Sequence, residues 1–269
     1  FPYLQGSRGH VHAMNYYRGN DWLIMSSIPC YLAALNVEDG SLAWEMGPEI
    51  LCGTNEELGN PAQGIMGTFK SKGYFPSISN HPPSFHGDIM VWPSMGASGA
   101  GGRSSIIGYD MSNPNAPKQL WRTWVAPAMD GSQKDWAIEQ CDITGGNGWY
   151  FEYPKYRETG QLALNCKDAP EDAVMNDWIN MKPNTPHYGE VHTASAVSPV
   201  WGNMPIDPET GIIYMGTGDI GPYPNATFKF GPNLHGSGII AVDSTTGELV
   251  WWFATNPHDL WDMDCSWGG

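Results

Sequence analysis

A chain of 269 residues is long enough to bury a substantial core. Its 33 glycines, 22 prolines and 13 tryptophans, against 15% charged residues, describe a turn-rich β protein with aromatic packing and exclude a largely helical one. The formal net charge of −15 excludes a nucleic-acid binder, because nothing in the chain could neutralise a run of phosphates.

No apolar run approaches the roughly 20 residues needed to span a bilayer as a helix. The chain starts at Phe1-Pro2-Tyr3 and stops at Ser266-Trp267-Gly268-Gly269 without a closing element, and it is read as an internal piece of a longer protein. Residues 21–46 form a hairpin series. Asp21 to Ser26 is an apolar strand, Tyr31 to Asn36 a second, Asp39-Gly40 the turn, and Ser41 to Glu45 the returning strand. Next come Asp88-Ile89-Met90-Val91-Trp92, a strand that runs into the small residues Gly96 to Gly102, and then Ile107 to Asp110. Gly211-Ile212-Ile213-Tyr214-Met215 is another strand ahead of Gly216-Thr217-Gly218-Asp219. Strands that end in such small residues let a flat ligand or another backbone approach closely.

One spacing recurs. Ala34-x-Asn36-x-x-x-Gly40-x-x-x-Trp44 matches Ala241-x-Asp243-x-x-x-Gly247-x-x-x-Trp251, and Ile107 to Trp121 is a degenerate copy whose turn is lengthened by Asn113-Pro114-Asn115. Each copy is strand, tight turn, strand, and a Trp set to pack between neighbours. The copies lie farther apart than the roughly 40–50 residues of a propeller blade, so insertions separate them. Residues 127–186 and 220–236 have the Gly, Pro, Asp and Asn content of such excursions. The second holds the sequon Asn225-Ala226-Thr227. No cysteine pair has zinc or redox spacing. Cys141 and Cys166 bracket one insertion and are the candidate disulfide, with buried free thiols as the alternative; Cys265 is left for a partner outside the chain. His187, Glu190 and His192 do not form a zinc-protease pattern, and there is no nucleophile elbow, P-loop or dinucleotide fingerprint.

Several stretches, in order, resemble the quinoprotein alcohol and methanol dehydrogenases, the propeller enzymes that carry pyrroloquinoline quinone (PQQ). These are Arg8-Gly9, Gly96-Ala97-Ser98-Gly99-Ala100, Val200-Trp201-Gly202, Gly216-Thr217-Gly218-Asp219 and Pro257-His258-Asp259-x-Trp261-Asp262. The resemblance implies an all-β fold, a β-propeller usually of eight blades. About three would be present, with long loop insertions, and residues 1–269 would be part of a single such domain. It implies PQQ and a metal as cofactors. Arg8, Ser98, Gly99 and Ala100 would bind the quinone, Trp201 would form the floor on which its ring stacks, and Asp262 would be the catalytic base. Asp219, Asp262 and Asp264 would be the metal ligands. Asp264 stands two residues after the base, a mark of the lanthanide-using branch, so the ion would be Ca²⁺ or a lanthanide. Side-chain direction repeats every second residue of an extended strand, which sets Asp262 and Asp264 on one side.

The implied reaction is oxidation of a small alcohol, with electrons passed to a separate carrier such as a cytochrome or copper protein. The implied location is the periplasm or cell exterior. The chain departs from the family in three places: Gly101 stands where a metal-binding glutamate follows Ser-Gly-Ala, Pro2 and Tyr3 where a vicinal cysteine pair precedes Arg8, and Pro199 where a threonine precedes the stacking Trp. The alternative that Gly101 favours is a propeller used for binding or as a scaffold, with a vestigial quinone pocket.

Overall fold

The computed structural model describes residues 11–17, 19–27, 31–47, 82–94, 104–125, 200–201, 204–218, 235–255 and 265. They form twelve strands in three four-stranded antiparallel sheets, with no helix among the described residues. The first sheet runs β1 (Val11–Tyr17), β2 (Trp22–Ser27), β3 (Tyr31–Asn36), β4 (Leu42–Met46). The second runs β5 (Ser84–His86), β6 (Ile89–Ser94), β7 (Ser105–Asp110), β8 (Lys118–Trp124). The third runs β9 (Val200–Trp201), β10 (Ile212–Thr217), β11 (Gly238–Asp243), β12 (Leu249–Ala254). Strands neighbouring in sequence are neighbours in every sheet. Such four-stranded meanders, packed face to face, are the blades of a β-propeller.

The recurring spacing has a local cause. In the first sheet Ala34 pairs with Trp44, in the third Ala241 with Trp251, and in the second Gly108 with Trp121, each followed by a register shift. Asn36 and Asp243 both accept the amide of the glycine four residues on, at 2.8 Å. Gly40 and Gly247 have φ of +70° and +77°, the left-handed conformation that closes such a turn and that a side chain disfavours. The same loop occurs once more, between β9 and β10: the Gly211 amide bonds the Asp207 carbonyl at 2.8 Å and Gly211 has φ +73°. The Asp207 and Asp243 carboxylates accept amides from the following two or three residues. This local bonding holds both carboxyls below the usual carboxylate range.

Two seams hold the sheets together. Between the first and second, Trp22, Ile24, Leu32, Ala34 and Trp44 form one buried cluster with Met90, Trp92, Ile107 and Tyr109. Tyr17 and Phe85 rings meet at 5.0 Å, and the Asn15 amide donates to the Pro83 carbonyl at 2.9 Å. Each large apolar side chain buried here contributes on the order of 1.5–3 kcal/mol. The indole N–H groups of Trp44 and Trp92 and the hydroxyl of Tyr109 are buried there without a hydrogen-bond partner.

The second seam is more polar. Trp121 lies across Gly108 of its own sheet and Gly247 of the third, so close that a Cβ at either glycine would come within 2.2 and 2.5 Å of the indole. Its N–H donates to the Ser244 carbonyl at 3.1 Å, and the Thr123 hydroxyl donates to the Gly247 carbonyl. His86 bonds the Ser244 hydroxyl at 2.8 Å through Nδ1 and covers Gly211, where a Cβ would lie 2.4 Å from the ring. Ser84 donates to the Met204 carbonyl at 2.8 Å.

Candidate active site

The two ends of the sheets differ. At one end the chain turns tightly, through Gly19 to Asp21, Val37 to Ser41, Gly87-Asp88, Met111 to Pro117, the Asp207 to Gly211 loop and Ser244 to Glu248. At the other, the second and third strands of each sheet are joined and the first and fourth communicate with the rest of the chain. The seams match end with end. Tyr17 meets Phe85, and Trp121 meets Ser244, near the tight turns. At the opposite end His235, just before β11, bonds the carbonyl of Val125, just after β8, at 2.5 Å through Nδ1.

The segments that carry the predicted site residues all leave from this second, open end. Arg8 precedes β1. Ser98, Gly99 and Ala100 fall between β6 and β7, Asp219 directly follows Gly218 beyond β10, and Asp262 and Asp264 follow β12. These seven residues lie outside the described residues, as do Cys141, Cys166 and Asn225. Trp201 is on β9, where it pairs with Gly216 while Val200 pairs with Thr217.

Four backbone hydrogen bonds or pairings knit the open end of the third sheet. The Ser237 amide bonds the Gly218 carbonyl at 2.8 Å and the Thr255 amide the Ser237 carbonyl at 3.0 Å. The Cys265 amide bonds the Thr217 carbonyl at 3.2 Å, and β9 pairs with the end of β10. The described structure therefore joins the residue after Asp264 to a residue two before Asp219, beside the strand that carries Trp201. Among the described residues no three His, Cys, Asp or Glu side chains gather as a metal site. Cys265 carries a free, half-buried thiol.

Sequence reasoning missed two residues at this end. Thr217 is fully buried; its hydroxyl accepts the Gly238 amide at 3.0 Å and donates to the Gly238 carbonyl at 3.2 Å. His235 is 2% exposed, has φ +60° and meets Trp252 edge-on at 5.1 Å. Burial pushes its imidazole down to about 4, with the Val125 carbonyl opposing, so it is neutral at pH 7. Thr217 carried a signal, since it sits in the Gly-Thr-Gly-Asp stretch. His235 carried none.

Residues 174–268 match the family model described as glucose/ethanol/alcohol dehydrogenase, beta-propeller domain. That range contains Trp201, Asp219, Asp262 and Asp264. The dehydrogenase subunit of the quinone-dependent alcohol dehydrogenase of Gluconobacter oxydans is 30% identical over 172 residues, 54% of this chain and 22% of that protein. Quinohemoprotein alcohol dehydrogenase ADH IIB of Pseudomonas putida is 38% identical over 111 residues, 39% of this chain and 16% of that protein. The matched part thus spans about a fifth of these relatives' length. Among solved structures, the quinohemoprotein alcohol dehydrogenase of Comamonas testosteroni superposes with a TM-score of 0.55 at 18% identity, over 94% of this chain and 28% of that one. A europium-containing methanol dehydrogenase does so with a TM-score of 0.55 at 17% identity, over 97% of this chain and 35% of that one. The structural likeness establishes the propeller fold, and the sequence matches show that this chain is similar to part of the propeller of PQQ-dependent alcohol and methanol dehydrogenases.

Proposed function

We propose that the chain is part of a single propeller domain of a periplasmic or cell-surface quinoprotein dehydrogenase. The enzyme oxidises a small alcohol by hydride transfer to metal-bound PQQ and hands the electrons to a separate cytochrome or copper protein. The observation that most supports this reading is the bond from Cys265 to Thr217. It draws the chain beside Asp264 toward the chain beside Asp219, at the open end where β9 carries Trp201.

Three carboxylates, Asp219, Asp262 and Asp264, would suit a hard cation, Ca²⁺ or a lanthanide, which takes many oxygen ligands. Asp219, Asp262 and Asp264 would hold it. When bound, PQQ supplies a quinone carbonyl carbon that accepts hydride, and the cation polarises that carbonyl as a Lewis acid. Asp262 takes the proton from the alcohol hydroxyl. Trp201 offers a flat apolar floor, and Ser98 with Arg8 binds the carboxylates of the quinone. Gly99 and Ala100 are small enough for the main chain to approach it.

Gly101 favours a second reading, in which the propeller is a scaffold with a vestigial quinone pocket. Acid extraction of the purified protein separates the two. PQQ and a bound calcium or lanthanide ion, each near one per chain, support the enzyme. Neither quinone nor metal, in protein never exposed to a chelator, would move the assignment to the scaffold.

A further inference from the structure

One side chain joins the second and third sheets at their open end. His235 stands just before β11 and is 2% exposed, and it lines a small cavity with the apolar side chains of Ile106, Val125, Ile240 and Val242. Its Nδ1 lies 2.5 Å from the carbonyl of Val125, and its ring meets Trp252 edge-on at 5.1 Å. A carbonyl only accepts, so Nδ1 carries the hydrogen, and acid can add a second proton only at Nε2. The backbone here is strained. His235 and Ser237 have φ of +60° and +48°, the left-handed conformation that a side chain disfavours. Bonds to two strand ends hold it in place. The Ser237 amide donates to the Gly218 carbonyl at 2.8 Å, and the Thr255 amide and hydroxyl donate to the Ser237 carbonyl at 3.0 and 2.7 Å.

We propose that His235 is an acid-released latch. Neutral, it clasps the end of β8 to the start of β11; protonated at Nε2, it leaves the seam, and residues 235–237 let go of Gly218 and Thr255. An imidazolium among apolar side chains is costly unless a carboxylate faces it. Among the described residues, no acid on the elements packed against His235 does so. Asp110, Asp243 and Glu248 stand at the tight-turn end, as does Lys118. Arg122, on β8, bonds the Ser105 hydroxyl at 2.9 Å and lies over the Trp124 ring at 5.3 Å. Tyr214, on β10, meets Trp251, while Cys265 is tied to Thr217. Burial is accordingly the main cause that lowers the His235 imidazole to about 4, with the Val125 carbonyl opposing it. The turn carboxylates Asp110, Asp207 and Asp243 are held below their ordinary value, so they stay ionised where the latch yields and the tight-turn end keeps its bonds. This inference goes beyond the functional reading above, since it applies to an enzyme and to a scaffold alike.

The test is hydrogen exchange in the purified protein at pH 7.5 and pH 5, with each amide's rate divided by its intrinsic rate at that pH. An open state with an ordinary imidazole gains on the closed one by roughly thirtyfold over that interval. Protection at the Ser237 and Thr255 amides is expected to fall by about that factor in acid. The Gly40, Gly211 and Gly247 amides, bonded within the tight turns, are expected to change by less than about threefold. His235→Asn keeps a donor for the Val125 carbonyl and tolerates the left-handed backbone, yet it cannot titrate. Its Ser237 and Thr255 amides are expected to be protected equally at both pH values. Equal protection in the parent at both pH values overturns the latch. So does an equal loss at the three tight-turn glycines, which would mean that the whole fold opens. The same fall in His235→Asn as in the parent overturns the role given to His235. The parent comparison needs no variant and decides the matter if His235→Asn does not fold.

Discussion

Trp121 donates its indole N–H to the carbonyl of Ser244 across the seam between the second and third sheets, at 3.1 Å. Trp44 occupies the matching position of the first sheet, yet its buried N–H has no such acceptor. The turn that would supply one is the turn lengthened by Asn113, Pro114 and Asn115. The same indole is therefore worth different amounts in the two places. Trp121→Phe strands a carbonyl and removes a bond. It is expected to cost about 1–2 kcal/mol more than Trp44→Phe, where an unsatisfied donor is lost as well. Paired urea denaturation curves check the difference.

The glycines under Trp121 give a sharper version. Gly247→Ala puts a methyl 2.5 Å from the indole at a backbone φ of +77°. The strain of the left-handed conformation, about 1 kcal/mol, adds to the overpacking cost of roughly 1–3 kcal/mol. Gly40→Ala shares the positive φ, but nothing lies within 4 Å of the added methyl. It is expected to lose only the conformational part, about 1 kcal/mol. Melting temperatures of the two variants should fall in that order.

Acid should loosen the protein in two steps. His235 is buried with its folded-state value lowered to about 4 from an ordinary 6.5. A depressed imidazole contributes stability that is present above pH 6.5 and is lost as pH falls toward 4. The loss is on the order of 3 kcal/mol when complete. Below pH 4 the turn carboxylates Asp39, Asp110, Asp207 and Asp243 follow. All are held below their ordinary value by local hydrogen bonds, so the stability they give is present above 3.8 and disappears as they protonate. Stability measured from pH 7.5 to 4.5 should decline in the parent, and much less in His235→Gln.

For the proposed enzyme, Asp262→Asn is expected to lower turnover by about 10² to 10⁴-fold while PQQ stays bound, because the proposed proton acceptor is removed and the amide keeps an oxygen for the metal. Retained alcohol oxidation would contradict the base. Asp264→Ala is expected to weaken metal binding, and Gly101→Glu, which supplies the carboxylate that the family resemblance leads one to expect there, to strengthen it. Calorimetric titrations of the chelator-stripped proteins read both.

Much of this fold was legible because its signal is local. An Asn or Asp, a glycine four residues later and a Trp four beyond that specify turn, bulge and register within eleven residues. The Asp207 to Gly211 loop uses the same turn but was not read as a copy. It joins β9 to the central strand β10, which presents no docking Trp. The seam partners were not legible either: His86 over Gly211 and His235 against Val125 join residues more than a hundred apart, with no pattern to announce them. The site residues were read as a set of motifs in order, and all of them but Trp201 lie outside the described residues. What sequence could not supply was the tie between Thr217 and Cys265, because a main-chain bond leaves no mark on residue identity.

The division between a tightly turned end and an open end has an evolutionary consequence. Strand register is pinned by glycine loops on one side of the molecule. The connections on the other side can therefore lengthen or drift in composition without shifting a single cross-strand pair. Each doubling of such a connection costs only about 0.6 kcal/mol in closure entropy. The pairings within the sheets and the composition of the open-end connections can therefore change independently of one another.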